Sequence, residues 1–379
     1  MTTDTDPETN RRDSRPEATN HQTPGMSAEK AVKIGIALCL VSTLMYSLSN
    51  VTMRELGVLG YDRSWIVFLK EMCCIVSVSP WILYWAIRRK YQWPVFKWVL
   101  CILVGGFFCQ YVGARLHLAA FATVGLVVSV PLIQASSMVC SSVFGRIFLR
   151  EKIIRRCLMA MLLLLVAMCF LVMGPGGPQT STNPPGGEQG DQHIVSTTPD
   201  EPITSESQAS DSQVASLESP NSLSKQVMLF GALGAVVAGL AYSVHVVCLR
   251  VTSAARQMPV TLIAVQVTGI GAAIFGFEFL RDHGGKISAI WENVSPWAWF
   301  LIVSTGLLNT VGFLFQIYSL RYTLVARAQM ISVAQIVICT LFGILAYREP
   351  TNLMIWLGIS LTVSGIYFAS TPDKKELSQ

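Results

Sequence analysis

Lys70 is the residue in this sequence with the clearest capacity for chemistry, because it lies about two turns into the apolar run 64–87. An ionisable side chain in hydrocarbon costs a few kcal/mol or more, so it faces protein interior or water rather than lipid. On a helix Lys70, Cys74, Ser77 and Trp81 follow i, i+4, i+7, i+11 spacing and share one face. That stripe would line a cavity in which the Lys70 ammonium attracts a carboxylate or phosphate. The alternative is structural pairing, either with Glu278 or with Glu71 of a second copy, which would make the protein a homodimer. Glu71 of the same chain is turned by about 100° around the helix, so it is not expected to be the partner.

His245 lies in another apolar run, 227–249, where imidazole could bind solute or carry a proton near neutral pH. A lone histidine is more often a hydrogen-bonded packing residue. Asn50, Gln134, Gln266, Asn309, Gln316 and Gln335 offer neutral hydrogen-bonding groups for a path through the membrane, or bonds that hold helices together. Arg115 and His117 stand at the end of the run 98–118 and are read as snorkelling toward the interface. The candidate substrate-binding set is therefore Lys70, Ser77, Trp81, Asn50, Gln266 and His245.

Enzymatic readings find no support in the motifs. The chain has no H-E-x-x-H, no plausible Ser-His-Asp arrangement and no nucleotide-binding signature. Gly105-Gly106 and Gly231-x2-Gly234-x4-Gly239 lack the Lys-Ser/Thr of a phosphate loop and suit close helix packing. The ten cysteines include a vicinal Cys73–Cys74 pair but no C-x-x-C and no Cys/His metal spacing. No catalytic residue, metal or cofactor is expected.

The elements that must hold these residues follow from composition. Hydrophobic residues are 52% of the 379 and charged residues only 13%, about half the charge of a soluble domain. The apolar residues fall into ten runs: 31–51, 64–87, 98–118, 124–148 and 157–173, then 227–249, 259–280, 296–320, 324–347 and 353–370. Each approaches the ~20 residues that a helix needs to cross a bilayer, and backbone groups in lipid must bond within the segment. A transmembrane β-barrel would instead show alternating segments of about ten residues. With the N-terminus cytoplasmic, 19 basic residues fall in inner segments and 7 in outer ones. That bias predicts both termini in the cytoplasm of a multi-pass protein in the cell (inner or plasma) membrane. It also accounts for the net charge of +5 without a nucleic-acid partner. Residues 1–30 read as a disordered cytoplasmic tail, 174–226 as a flexible acidic linker and 371–379 as a second cytoplasmic tail.

The two halves repeat. Leu44-x-Tyr46-Ser47-x3-Val51-x2-Arg54 recurs 196 residues later as Leu240-x-Tyr242-Ser243-x3-Val247-x2-Arg250, and Gly35 matches Gly231. Phe144-Gly145-x4-Arg150-Glu151 recurs 198 residues later as Phe342-Gly343-x4-Arg348-Glu349. Five spans per half is an odd number, so the second half inserts upside down relative to the first, as in many secondary transporters. The expected fold is all-α, ten transmembrane helices in two inverted five-helix repeats, 31–173 and 227–370.

These features resemble the EamA family of the drug/metabolite transporter superfamily. The closest match is 123–152, with Pro131 inside the helix and Phe-Leu-Arg-Glu-Lys at its end. Lys70 stands where that family often has a basic residue in span two, and Gln266 is its counterpart in span seven. The chain departs from the family in carrying Tyr46-Ser47 where a Trp-Gly pair is frequent, Gln329 at the position of Pro131, and a longer linker. The resemblance implies a secondary transporter that moves a small organic metabolite, an amino acid or related solute, outward by alternating access. The alternative is a membrane scaffold or sensor that keeps the fold without transport.

Overall fold

The structure is a computed structural model, and it describes residues 27–88, 94–124, 126–151, 155–173, 220–254, 258–284, 294–347 and 351–371. Among the described residues every regular element is helical. The first half comprises α1 (Ala28–Val58), α2 (Arg63–Ile87), α3 (Phe96–Phe107), α4 (Arg115–Val124), α5 (Leu126–Phe148) and α6 (Arg155–Met173). A π-helical turn, Phe108–Ala114, joins α3 to α4. The second half comprises α7 (Pro220–Ala254), α8 (Val260–His283), α9 (Pro296–Ser319), α10 (Val325–Ser332), α11 (Ala334–Tyr347) and α12 (Leu353–Ser370).

Local chemistry sets several of the starts. Asp62 accepts the Trp65 N–H at 2.9 Å, Ser295 the Ala298 N–H at 3.2 Å, and Asn352 the Ile355 N–H at 3.0 Å. Each satisfies a donor that the first turn leaves without an intrahelical partner. Pro296 follows Ser295 at the first helical position, where its missing N–H costs nothing.

Eight helical segments among the described residues are long and apolar enough to cross a membrane. They are Glu29–Val58, Arg63–Ile87, Phe96–Ala120, Val227–Ser253, Val260–His283, Pro296–Ser319, Val325–Ala346 and Leu353–Ser370. The runs 124–148 and 157–173, expected to be spans four and five, form helices α5 and α6 but are not among these eight. Many large apolar side chains, among them Phe96, Phe230, Phe300 and Tyr367, are exposed on the outside of the bundle, as lipid contact requires.

The structure also moves some boundaries. Helix α7 starts at Pro220, so the last seven residues of the expected linker are helical. The rest of that linker, most of the N-terminal tail, Arg348-Glu349 and 372–379 lie outside the described residues.

The two halves interleave. Helix α1 packs along α9 and against α10 and α11, while α7 packs along α3, α4 and α5. Helix α2 packs on α8, and α6 on α12. At one end, Glu151 ties three elements together. Its Oε1 accepts from Arg250 Nε at 3.2 Å, and its Oε2 accepts the Val325 N–H at 3.0 Å, at the start of α10. Arg250 also donates through Nη1 to the Leu320 carbonyl. The preceding Arg150 has φ 55°, a left-handed backbone that aims Glu151 back into the bundle.

Burial raises the Glu151 carboxyl above the ordinary carboxylate range, against the opposing pull of Arg250 and the Val325 N–H. The folded protein therefore holds this proton more tightly than the unfolded chain, and the group's contribution to stability falls as pH rises from the ordinary carboxylate range through the raised value. Arg250→Gln should deepen that fall by leaving a buried carboxylate without its cation, a loss of about 3 kcal/mol at neutral pH. Thermal unfolding of the detergent-solubilised protein should show a smaller loss in acid. An equal loss at both pH values would mean that the charge pair is not what Arg250 contributes.

Candidate functional site

A polar cavity of ≈ 270 Å³ lies where the two halves meet. Tyr46 and Asn50 enter it from α1, Lys70 and Glu71 from α2, and Cys109 and Gln110 from the π-helical turn. His117 comes from α4, and Gln134 and Ser137 from α5. The second half supplies Tyr242 and His245 from α7, Thr268 from α8, and Asn309, Phe313 and Gln316 from α9. Gln329 and Ser332 of α10 and Gln335 of α11 stand on either side of the break at Val333, and Met53, Val67, Leu118, Ile133, Val246 and Val267 make much of the remaining wall apolar. A second hollow of ≈ 370 Å³ is lined by Phe68, Ala272, Ala273, Gly276, Phe277, Phe279 and Leu280. It has no polar side chain with which to recognise a polar solute and reads as a lipid-facing groove.

Lys70, Asn50 and His245 of the sequence-derived set meet in the cavity. Ser77 and Trp81 do not line it. Seven and eleven residues along α2 correspond to roughly 10 and 16 Å of rise, so the stripe runs out of the cavity. Ser77 donates to the Cys73 carbonyl at 2.7 Å, and Trp81 is 58% exposed among Tyr84 and Trp85. Gln266 also stands outside the lining, and its Oε1 is buried with no hydrogen-bond partner.

The expected separation of Lys70 from its neighbour fails. Lys70 Nζ stands 3.2 Å from Glu71 Oε1. The helix does turn the two Cα–Cβ bonds apart, but the four-carbon stem of lysine lets the ammonium swing back across the gap. Glu71, 2% exposed, also accepts from Gln110 Nε2 at 3.3 Å on the same oxygen. Gly271 of α8 makes that bond sterically feasible. A Cβ there would stand 2.8 Å from Gln110 Nε2 and 3.0 Å from Glu71 Cγ.

Two tyrosines anchor the walls. The Tyr46 hydroxyl donates to Gln316 Oε1 at 3.0 Å, and the Tyr242 hydroxyl lies 3.0 Å from His117 Nδ1. Tyr46 and Tyr242 are the repeated tyrosines of the sequence. Their partners His117 and Gln316 are 199 residues apart, as are Gln110 and Asn309. Thus α1 reaches into α9 of the other half, and α7 into α4. Gly113, inside the π-helical turn, lets the Tyr242 ring close in, since a Cβ would meet Cε1 at 2.8 Å. Single π turns inside α-helices often mark functional sites. His245 stacks on Phe313 at 6.1 Å, with Nδ1 lacking a partner.

The expectation that Arg115 and His117 both snorkel is also corrected. His117 faces the cavity, while Arg115 pairs with Glu278 of α8 and sits 4.4 Å over the Tyr111 ring. Pairing Glu278 with Arg115 answers the question of what Lys70 bonds: it is Glu71. Glu71, Gln110 and His117 also lie in apolar runs, but nothing in the sequence brings them to one place. The Tyr46/Tyr242 repeat was the available signal for the tyrosines. Among the described residues no three His, Cys, Asp or Glu side chains converge as a metal site would need.

Comparison with known proteins adds the following. Residues 229–371 match the model of the EamA-like transporter family. No curated protein matches the chain. Of the 28 solved chains that do, one, titled "Crystal structure of protein", has a TM-score of 0.58 with 15% identity, covering 88% of this chain and 96% of its own. At that identity the likeness concerns the fold alone.

Gly271→Ala should separate Gln110 from Glu71 and cost about 1–3 kcal/mol through overpacking. Gly269, two residues away with nothing near its Cβ position, provides the control. Gly269→Ala should be neutral or stabilising by about 0.5–1 kcal/mol, because alanine suits a helix better. Thermal midpoints of the two purified variants make the comparison, and equal midpoints would contradict the packing described.

Proposed function

We propose that this protein, whose residues 229–371 match the model of the EamA-like transporter family, is a drug/metabolite-type secondary carrier for a small organic solute. The observation that carries the reading is a cavity inside an apolar bundle that gathers Lys70, Glu71 and several amides from both halves. A packing protein has no need of so many amides and charges at one place, because each must be desolvated and then satisfied.

In this reading α5 and α6 join the eight long apolar segments to make ten spans in two inverted five-span repeats. Support comes from the reciprocal packing of α1 with α9 and of α7 with α3 and α4, and from the pairings of α2 with α8 and α6 with α12. The reciprocal bonds Tyr46–Gln316 and Tyr242–His117 fit the same pseudo-two-fold relation. Two like halves inserted in opposite senses can exchange conformations, which opens the central site to one side and then the other. The break between α10 and α11 beside Ser332 and Gln335 suits such a site, since interrupted helices commonly flank transported solutes.

The cavity volume of ≈ 270 Å³ falls just below the ~300–1,000 Å³ of small-molecule pockets, which suits a small solute. Lys70 supplies a cation for a carboxylate, and Asn50, Gln110, Gln134 and Asn309 supply neutral donors and acceptors. An anionic or zwitterionic metabolite, an amino acid or a related solute, fits that set. Export, both termini in the cytoplasm and the cell membrane as location complete the proposal.

Reconstitution in proteoliposomes with a labelled panel of amino acids and carboxylates tests it. We expect flux of at least one member, with Lys70→Gln weakening its apparent affinity roughly tenfold or more, as the loss of a charge-assisted hydrogen bond implies. A folded protein with no flux across the panel would favour the scaffold or sensor reading.

A further inference from the structure

The carrier reading leaves Glu71 without a task, and we propose one: Glu71 and the solute's carboxylate compete for the Lys70 ammonium, so that solute binding places one proton on Glu71. The inference rests on the carrier reading for its context but on the cavity's geometry for its argument.

Glu71 is almost fully buried and yet belongs to the cavity wall. Its two oxygens are unequally provided for. Oε1 holds Lys70 Nζ at 3.2 Å and Gln110 Nε2 at 3.3 Å, whereas Oε2 has no hydrogen-bond partner. A carboxylate in low dielectric normally fills both oxygens, as an unsatisfied one costs more than the bond would return. The vacant oxygen is the place for a proton or for a donor on the solute.

The charge balance decides between these. Among the described lining residues Lys70 is the one permanent cation and Glu71 the one carboxylate. With Glu71 ionised the pair is neutral and the ammonium is already engaged. An entering carboxylate would then set two anions against one cation beside a buried Glu71, which favours a proton on one of them. Adding one proton to Glu71 Oε2 relieves this. The neutral acid keeps Oε1 as acceptor for Gln110, its new O–H points from the vacant oxygen, and Lys70 turns to the solute. The cycle takes up one proton with each carboxylate bound and returns it on release. A monoanion would then move without net charge, and a zwitterion with one positive charge.

Among the described lining residues no second lysine or arginine faces Glu71. Tyr46 from α1, Tyr242 from α7, and Cys74 and Cys109 are near enough to interact electrostatically with it. All are neutral acids that cannot replace Lys70 as counterion. His117 from α4 is engaged with the Tyr242 hydroxyl, and His245 from α7 lies against Phe313. From α8 the facing groups are Thr268 and Gly271, and from α9 Asn309, none of them charged. Arg115, the nearest arginine along α4, is taken by Glu278.

Infrared difference spectroscopy of the full chain in liposomes tests the coupling without requiring flux. The probe is isotope-labelled acetate, whose own carboxyl bands are displaced, with chloride as the control anion. At fixed pH, acetate should increase a protonated-carboxyl band that disappears in Glu71→Gln. In Lys70→Gln the same band should persist and no longer respond to acetate. Lys70→Gln keeps the test open should Glu71→Gln fold poorly. An acetate response unchanged in Lys70→Gln, or no band assignable to Glu71, overturns the inference. Flux without this coupled protonation would leave the carrier standing and remove the role of Glu71. Coupled protonation without flux would do the reverse.

Discussion

Inside a bilayer no water is at hand to satisfy a polar group, and every other feature of this protein answers to that constraint. Backbone groups answer by forming helices. Hydroxyls answer locally, as when Thr43, Ser47 and Thr268 donate to carbonyls one turn back on their own helices. Long polar side chains reach further, and apart from the Lys70–Glu71 pair within α2 those named here find a partner on another helix. Their partners therefore dictate which helices touch: Tyr46 needs Gln316, Tyr242 needs His117, and Arg115 needs Glu278.

The cavity follows from the same rule. Side chains with more hydrogen-bonding capacity than their neighbours can absorb gather where the halves meet, and their surplus faces a shared space. Helix geometry around it is irregular in a way that serves this. A π turn carries Gln110 toward Glu71, and α10 gives way to α11 beside Ser332 and Gln335. The small residues at the closest approaches, Gly113 and Gly271, give the tyrosine ring and the Gln110 amide room to enter.

The repeated positions of the sequence share an offset but not a charge. Lys70 and Glu71 stand opposite Gln266 and Val267 in the repeat, and His245 opposite Ser49. A site built on repeated positions can thus be polarised by a few substitutions, without disturbing the helices that carry it. The Glu151–Arg250 bond lies apart from this site and joins the two halves at one end of the bundle.

The sequence by itself determined the membrane setting, the helical class and the internal repeat, because run length, charge depletion and a fixed offset are properties of a linear string. It also marked Lys70, Asn50 and His245, since polar groups in apolar runs stand out without any coordinates. What it could not determine was where each stripe ends and which way a flexible side chain turns. Ser77 and Trp81 share Lys70's face but lie too far along α2 to meet the same cavity. Glu71 is a hundred degrees from Lys70 by helix geometry and bonded to it in three dimensions, because a lysine stem spans the gap. His117 was legible only as a residue near a helix end. Packing against Tyr242 brought it into the cavity, and only tertiary structure sets such long-range contacts.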